Sequence, residues 1–353
     1  MSAPGFAIGE RRIGTDAHVF VVAEAGVNHN GQLDLALALV DAAADAGADA
    51  VKFQTFQTDA LVSRTAPKAG YQVETTGGAD SQRDMLARLE LTPADFARVQ
   101  ERCAKRGVVF FSAPFDEASA DALERLDVPI FKIPSGEITN FPFLRHVAAK
   151  RRPMIVSTSM CTLAEVADAM ATIRAAGAPP VALLHCLSAY PAPPGEMNLR
   201  AMDTLRERFG LAVGLSDHTL GLEIALAAVG RGATIIEKHL TLDKAMPGPD
   251  HRASLDPTEM AALVRGIRNI ESALGDGEKR PAPSELDTRR VARKSLVAAR
   301  ALRAGERLTA AAVTIKRPGT GIAPAELERV LGRRLRHDIA ADEVLEWTAL
   351  EES

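Results

Sequence analysis

Two histidines stand where side chains could do chemistry. In LSDHTLG (215–221) the apolar run Val213–Leu215 leads to His218, and in ATIIEKHLTLDKAMPGPDHR (233–252) the run Ile235–Ile236 leads to His239. Runs of this kind fit strands buried on both faces, with polar residues at an open end. Side chains alternate along a strand, so Ser216 shares a face with His218, and Glu237 with His239. If the two strands are consecutive and parallel, both imidazoles meet near a Lys, an Asp and a Glu, which is a candidate metal site. The competing reading is a pair of packed, hydrogen-bonded histidines. No CxxC or HExxH spacing decides between the two.

These strand ends belong to a repeating pattern. From Val19 to His239 an apolar run followed by a helical stretch recurs eight times: VFVVAE (19–24), ADAVKFQ (48–54), VVFFSA (108–113), PIFKI (129–133), PMIVST (153–158), VALLHC (181–186), LAVGLS (211–216) and ATIIEKH (233–239). Helix-like stretches such as 33–46, 163–176 and 222–229 lie between them, stopped by Gly47, Gly177 and Gly230. Eight βα units over roughly 250 residues predict a (β/α)8 barrel. A doubly wound open sheet is the competitor, but no GxGxxG follows the first run.

A barrel of this kind carries its chemistry at the C-terminal ends of several strands. Polar residues fall there: Glu24 on strand one, Lys52 and Gln54 on strand two, Lys132 on strand four, Ser157 and Thr158 on strand five, and Ser188 and Tyr190 just after strand six. A single strand-end Lys is usually a solvated rim charge; repetition on successive units is what points to a site. The connection 55–80 after strand two is long, bears Gly70, Gly77 and Gly78, and shows no strong periodicity. A loop of that length in a compact domain reads as a lid over the barrel mouth.

The 353 residues, 46% hydrophobic, can bury a large core and a second small one. We divide the chain into a barrel domain at 1–274, a polar linker at 275–288 that opens with GDGEKRPAPSE, and a small domain at 289–353. That last stretch carries 13 Lys/Arg against 9 Asp/Glu, a net +4, leaving −8 on 1–288 out of the overall −4. It also holds a weak repeat, LRAGERL (302–308) echoed by IAADEVL (339–345). The modest net charge gives no global signal for a nucleic acid partner. Cys103, Cys161 and Cys186, odd in number and widely spaced, argue against a disulfide framework and for a reducing compartment. No apolar run reaches spanning length and the N-terminus lacks a hydrophobic signal core, so the expectation is a cytoplasmic protein without a membrane partner.

The blocks AEAGVNHNG (23–31), AVKFQ (50–54), KIPSGEITN (132–140), HCLSAYPAPP (185–194), GLSDHTLG (214–221), IEKHLTLD (236–243), MPGPDH (246–251) and KRPGTGIAP (316–324) resemble, together and in order, the sialic acid synthase family. The resemblance covers nearly the whole chain, and its C-terminal part is similar to that family's antifreeze-like (SAF) domain. It implies condensation of phosphoenolpyruvate with an N-acetylmannosamine-type sugar, giving a sialic, legionaminic or related nonulosonic acid. By similarity, Lys52, Lys132, Ser135, Ser157, Ser188 and Ser216 would hold phosphoenolpyruvate, with Glu137 orienting that shell. Phosphoenolpyruvate carries a carboxylate and a phosphate, so fixed cations and hydroxyl donors suit it. The resemblance further implies Mn2+ or Mg2+ held by His218 and His239, with Glu24 as the acid/base carboxylate. Gln54, Tyr190 and Asp250 would hold the sugar. Arg317 would reach its acetamido group from the partner subunit of a domain-swapped homodimer. Three positions depart from the family pattern near the phosphate: Ala113, Ser159 in STSM, and Ser188 where an Asn is found in certain members.

Two other readings compete. A pyruvate-type aldolase would use Lys132 as a Schiff base and need no metal. A glycan- or ice-binding protein on an inert barrel would leave the polar strand ends idle, and the C-terminal stretch lacks a regular Thr array.

Overall fold

The computed structural model describes residues 5–78 and 80–352. Among them, a parallel barrel closes from β3 (Phe20–Gly26) through β4 (Ala50–Thr55), β5 (Val109–Pro114), β6 (Phe131–Ile133), β7 (Met154–Ser157), β8 (Val181–Cys186) and β9 (Ala212–Asp217) to β10 (Ile235–His239), which pairs back onto β3. Each strand coincides with one of the eight apolar runs. Their near-continuous hydrophobicity follows from burial on both faces: β3 and β10 are buried at every position. The competing open sheet is excluded by the β10–β3 pairing.

Two apolar layers hold the barrel. The larger lies between strands and helices and includes Val21, Leu39, Phe53, Val99 and Ile173. The smaller fills the interior with Phe20, Val22, Phe111, Ile155 and Leu184. An antiparallel hairpin, β1 (Phe6–Ile8) with β2 (Arg11–Ile13), adds Ile8 and Ile13 to that interior cluster. The interior is crowded enough that Gly214 is required in β9, since a Cβ there would meet the Ile235 carbonyl oxygen at 2.3 Å and Leu184 Cδ2 at 2.8 Å.

Helix starts follow capping rules legible in the chain. Thr92 with Asp95, Thr162 with Glu165 and Asp256 with Glu259 form capping boxes at the helices Pro93–Arg106, Leu163–Ala176 and Pro257–Leu274. The connection after β4 is more ordered than expected. It contains the helices Thr58–Leu61, Gly70–Thr76 and Gln82–Ala87. Each is two turns or less, too short for an amphipathic period to register.

The second unit spans Asp276–Ser353, so the barrel boundary falls one residue later than the one read from the sequence. The stretch read as a polar linker contains the turn Pro283–Glu285 and the start of the helix Leu286–Ala292. That helix buries no residue, which removes the apolar period that would have marked it. Strands β11 (Ser295–Ala298) and β12 (Val313–Lys316) pair antiparallel over a core of Leu296, Leu302, Leu308, Ile322, Leu335, Ile339 and Leu345. The weak repeat has a structural meaning: Leu302 and Ile339, one from each copy, exchange both backbone hydrogen bonds at 2.9 Å. No helix among the described residues is long and apolar enough to cross a membrane.

Candidate functional site

The C-terminal ends of the barrel strands converge on one cavity of about 240 Å3. Its floor is a buried quartet of charges from three strands and a fourth across the barrel. Lys132 Nζ lies 3.1 Å from Glu237 Oε1, and Lys52 Nζ lies 3.8 Å from that same oxygen while ion-pairing directly with Glu24. Ser216 Oγ donates to Glu237 Oε1 at 3.1 Å, and Gln54 Nε2 donates to Glu24 Oε1 at 3.1 Å. Glu24 stands beside a β-bulge, where the β3–β4 register shifts between Glu24 and Gly26.

The environment tunes these groups differently. Burial pushes the Glu24 carboxyl upward, outweighing Lys52, whereas for Glu237 the ammonium groups of Lys132 and Lys52 overcome burial and hold it low. Glu237 is therefore the fixed anion between two cations, and Glu24 is the carboxyl able to carry a proton. Asp250 is pushed up to about 7 by burial, and next by the charge of Glu24.

Above this floor the rings of His218 and His239 lie with centroids 5.3 Å apart. His218 Nδ1 sits 2.7 Å from the Leu187 carbonyl oxygen and so donates to it, which leaves Nε2 with its lone pair. Burial lowers the His218 pKa to about 4 and holds that of His239 well below the usual 6.5, keeping both imidazoles neutral. His239 Nδ1 is buried with no hydrogen-bond partner and stands 3.8 Å from Asp250 Oδ2. Neutral rings with a free lone pair fit a metal ion; among the described residues no third His, Cys, Asp or Glu completes a cluster with them. Such a site would leave its remaining positions to water and substrate oxygens.

Other buried polar atoms without partners lie in the same cavity: Glu237 Oε2, Ser157 Oγ and Asp250 Oδ1. Buried polar groups are ordinarily satisfied, so their gathering here marks a place built for a polar ligand. Ser135 Oγ accepts from the Ser159 amide at 2.9 Å, and Ser159 Oγ donates to Ser188 Oγ at 2.6 Å, which links two of the three departures from the family pattern. The connection after β4 supplies Tyr71, Gln72, Met85, Leu86 and Leu89, and Tyr71 lies over Tyr190.

Of the residues singled out from sequence, the cavity brings together Glu24, Lys52, Gln54, Lys132, Ser135, Ser157, Ser188, Tyr190, Ser216, His218, His239 and Asp250. Glu137 is not among its lining. Its Oε2 accepts from Asn140 Nδ2 at 2.7 Å within the turn after β6, and it is Glu237 that accepts from Lys132 Nζ at 3.1 Å. The alternation argument had already placed Glu237 on the face of His239, so a signal for it existed. Arg317 lies exposed in the second unit, after β12. Tyr71 and Gln72 were missed, because nothing in a short lid helix marks which side chains turn inward.

The model of the NeuB family matches residues 39–279, and that of the SAF domain matches 293–351. The chain belongs to the NeuB family. It is 47% identical over 342 residues to the N,N'-diacetyllegionaminic acid synthase of Legionella pneumophila, covering 96% of each chain. With the synthase of the same name from Campylobacter jejuni it shares 46% identity, over 92% of this chain and 98% of that one. Among solved structures, the N-acetylneuraminic acid synthetase of Leptospira borgpetersenii matches with a TM-score of 0.72 at 34% identity, covering 81% of this chain and 95% of that one. The fold is thus the barrel with a C-terminal SAF domain that the sequence predicted.

Proposed function

We propose that this chain is a nonulosonic acid synthase, condensing phosphoenolpyruvate and water with an acetamido-mannose-type sugar and releasing phosphate by carbon–oxygen cleavage. The observation that carries the reading is the pair of strand-end ammonium groups, Lys52 and Lys132, facing Glu237 in a cavity that also holds two neutral imidazoles. Family membership supports it. The two relatives matched at nearly half identity support N,N'-diacetyllegionaminic acid as the product. The apolar wall of Val27, Met85, Leu89 and Phe115 on one side of the cavity suits the methyl groups of such a sugar.

Lys52 and Lys132 would neutralise the carboxylate and phosphate of phosphoenolpyruvate, with Ser135, Ser157, Ser188 and Ser216 as hydroxyl donors. Gln54, Tyr190 and Asp250 would orient the sugar. A divalent cation, Mn2+ or Mg2+, would be held by His218 and His239 and when bound supplies Lewis-acid polarisation of the aldehyde oxygen. The enol carbon forms the new bond to the aldehyde carbon, water adds to the former enol C2, and the bridging oxygen leaves with phosphate. The added water loses two protons as it becomes the C2 keto oxygen, one ending on the aldehyde oxygen and the other on the departing phosphate; the raised Glu24 carboxyl is placed to carry the first. Lys132 Nζ is engaged by Glu237 Oε1 at 3.1 Å, whereas the aldolase reading needs that nitrogen free to attack a carbonyl.

Incubation with phosphoenolpyruvate and a panel of acetamido-mannose sugars, following phosphate release and product mass, tests the reading. The diacetamido 6-deoxy sugar should be turned over fastest. In 18O-water the phosphate should carry no solvent label, and labelled phosphate would rule out carbon–oxygen cleavage.

The working unit is a domain-swapped homodimer in which Arg317 reaches the acetamido group of sugar bound in the other subunit. Mixing Arg317→Ala with Glu24→Ala, each weak alone, should then restore activity, because mixed dimers acquire one site with both residues intact. With subunit exchange verified, no recovery would place Arg317 in its own subunit. Three free thiols, Cys103, Cys161 and Cys186, support a cytoplasmic setting.

A further inference from the structure

The strands that carry the two histidines meet as a ladder whose rungs alternate between inside and outside. In the β9–β10 register Ser216 lies opposite Glu237 and Asp217 opposite Lys238, and one residue further on stand His218 and His239. The first rung faces the cavity, where Ser216 Oγ bonds Glu237. The third faces it too, with both imidazoles in the lining. The middle rung points the other way, as alternation requires, and neither member lines the cavity. It faces the helix layer, where Lys238 also feels the charges of Glu223 and Glu259.

Asp217 and Lys238 are nevertheless each only 1% exposed. Lys238 Nζ donates to Asp217 Oδ2 at 2.7 Å and to the Thr219 carbonyl oxygen at 2.6 Å. Asp217 Oδ1 accepts from the Thr219 amide at 2.9 Å and from Thr219 Oγ1 at 2.8 Å. Desolvating an ion pair carries a penalty that well-packed apolar residues avoid, so packing alone does not call for charges here. What the pair adds is direction. Two bonds close Asp217 on Thr219 across His218, and two more tie that closed turn to Lys238, the residue that precedes His239.

We propose that Asp217 and Lys238 are positioning residues, an outer clamp that sets His218 against His239 so that the two imidazoles can share one divalent cation. This rests on the metal reading above. The clamp is distinct from the Leu187 carbonyl that orients the His218 ring, because it fixes the backbone rather than the imidazole.

The test is Mn2+ titration of the metal-stripped full chain by calorimetry, with phosphoenolpyruvate affinity and thermal unfolding measured on the same samples. Removing only Lys238 would leave a buried carboxylate alone, so the main variant is the neutral double change Asp217→Leu with Lys238→Met. It should fold, keep phosphoenolpyruvate affinity within about twofold, and bind Mn2+ some 10- to 100-fold more weakly, the range typical of lost supporting contacts around metal ligands. Thr219→Val, which removes only the hydroxyl arm, should weaken Mn2+ several-fold and serves if the double variant does not fold. Wild-type Mn2+ affinity in a folded clamp variant, with binding still abolished by His218→Ala, would overturn the clamp alone. Mn2+ binding that survives His218→Ala together with His239→Ala would overturn the metal reading and the clamp's purpose with it.

Discussion

The ring of Tyr71 lies 4.9 Å from that of Tyr190, which in turn lies 4.2 Å from His218. The short helix Gly70–Thr76 is thereby connected through the ring of Tyr190 to the imidazole at the end of β9. Stacked aromatic pairs contribute about 0.5–1.5 kcal/mol beyond their buried area. Tyr71→Ala should therefore raise the sugar's KM by roughly 2- to 12-fold, with little change in thermal unfolding, since the helix buries no residue in the core. Tyr71→Phe should stay near wild type, because the hydroxyl's hydrogen-bond contact is a long 3.4 Å one with Gln72 Nε2. Steady-state kinetics with both substrates varied checks this; an unchanged sugar KM in Tyr71→Ala would show that the stack does not gate the site.

Glu237→Gln separates the anion between the two lysines from its neighbours. Removing one partner of a buried charge network costs about 3–5 kcal/mol, because the remaining charge stays desolvated. Lys132 and Lys52 would then face each other with only Glu24 near them. We expect marked thermal destabilisation without ligand. We also expect a larger stabilisation by saturating phosphoenolpyruvate than in wild type, since the ligand's own anions replace the lost carboxylate. Equal ligand-induced shifts in the two proteins would mean that phosphoenolpyruvate does not sit on these lysines.

How much was readable in the chain depends on the kind of signal each element leaves. Barrel strands are buried on both faces, so each appears as an uninterrupted apolar run, and the polar residue ending the run is the one that reaches the mouth. That is why Lys52, Lys132, His218 and His239 could be placed together without coordinates. Glu137 and Glu237 divide on the same logic. Glu237 lies within a strand, where alternation dictates its side; Glu137 lies in a short turn after β6, where no period constrains it, and it bonds Asn140 instead. The lid helices and Leu286–Ala292 bury too few residues to leave a pattern, so their helicity was invisible.

Gly26 adopts φ +49°, and a Cβ there would stand 3.0 Å from Glu24 Oε1 and 3.4 Å from Gln54 Nε2. An Ala at this position incurs about 1–2 kcal/mol of left-handed strain and also crowds the two side chains that meet at the bulge. Gly26→Ala should lose stability by about that amount in urea unfolding. Its kcat should fall at least 10-fold, because the Glu24 carboxyl is displaced from its place beside Lys52. A variant that is destabilised yet turns over at the wild-type rate would remove Glu24 from the proton transfer.

Acid should loosen the mouth of the barrel through His29. Burial depresses its pKa to about 4 from the usual 6.5, and in the neutral form its Nδ1 accepts the Gly31 amide at 3.0 Å. Between pH 6.5 and 4 the unfolded chain binds this proton and the folded chain does not. Stability contributed by the neutral ring is therefore complete above pH 6.5 and declines as pH falls, by about 1.4 kcal/mol per unit and about 3 kcal/mol over the window. His218 and His239 act in the same direction. Asp250 opposes them, since its folded form holds a proton up to about pH 7 while the unfolded form releases it near 3.8. A comparison with His29→Gln cancels these shared contributions. Urea unfolding of both proteins in chelator should show wild type more stable at pH 7, with its advantage shrinking by about 3 kcal/mol toward pH 4. A constant difference across that range would mean that His29 takes up its proton inside the folded barrel.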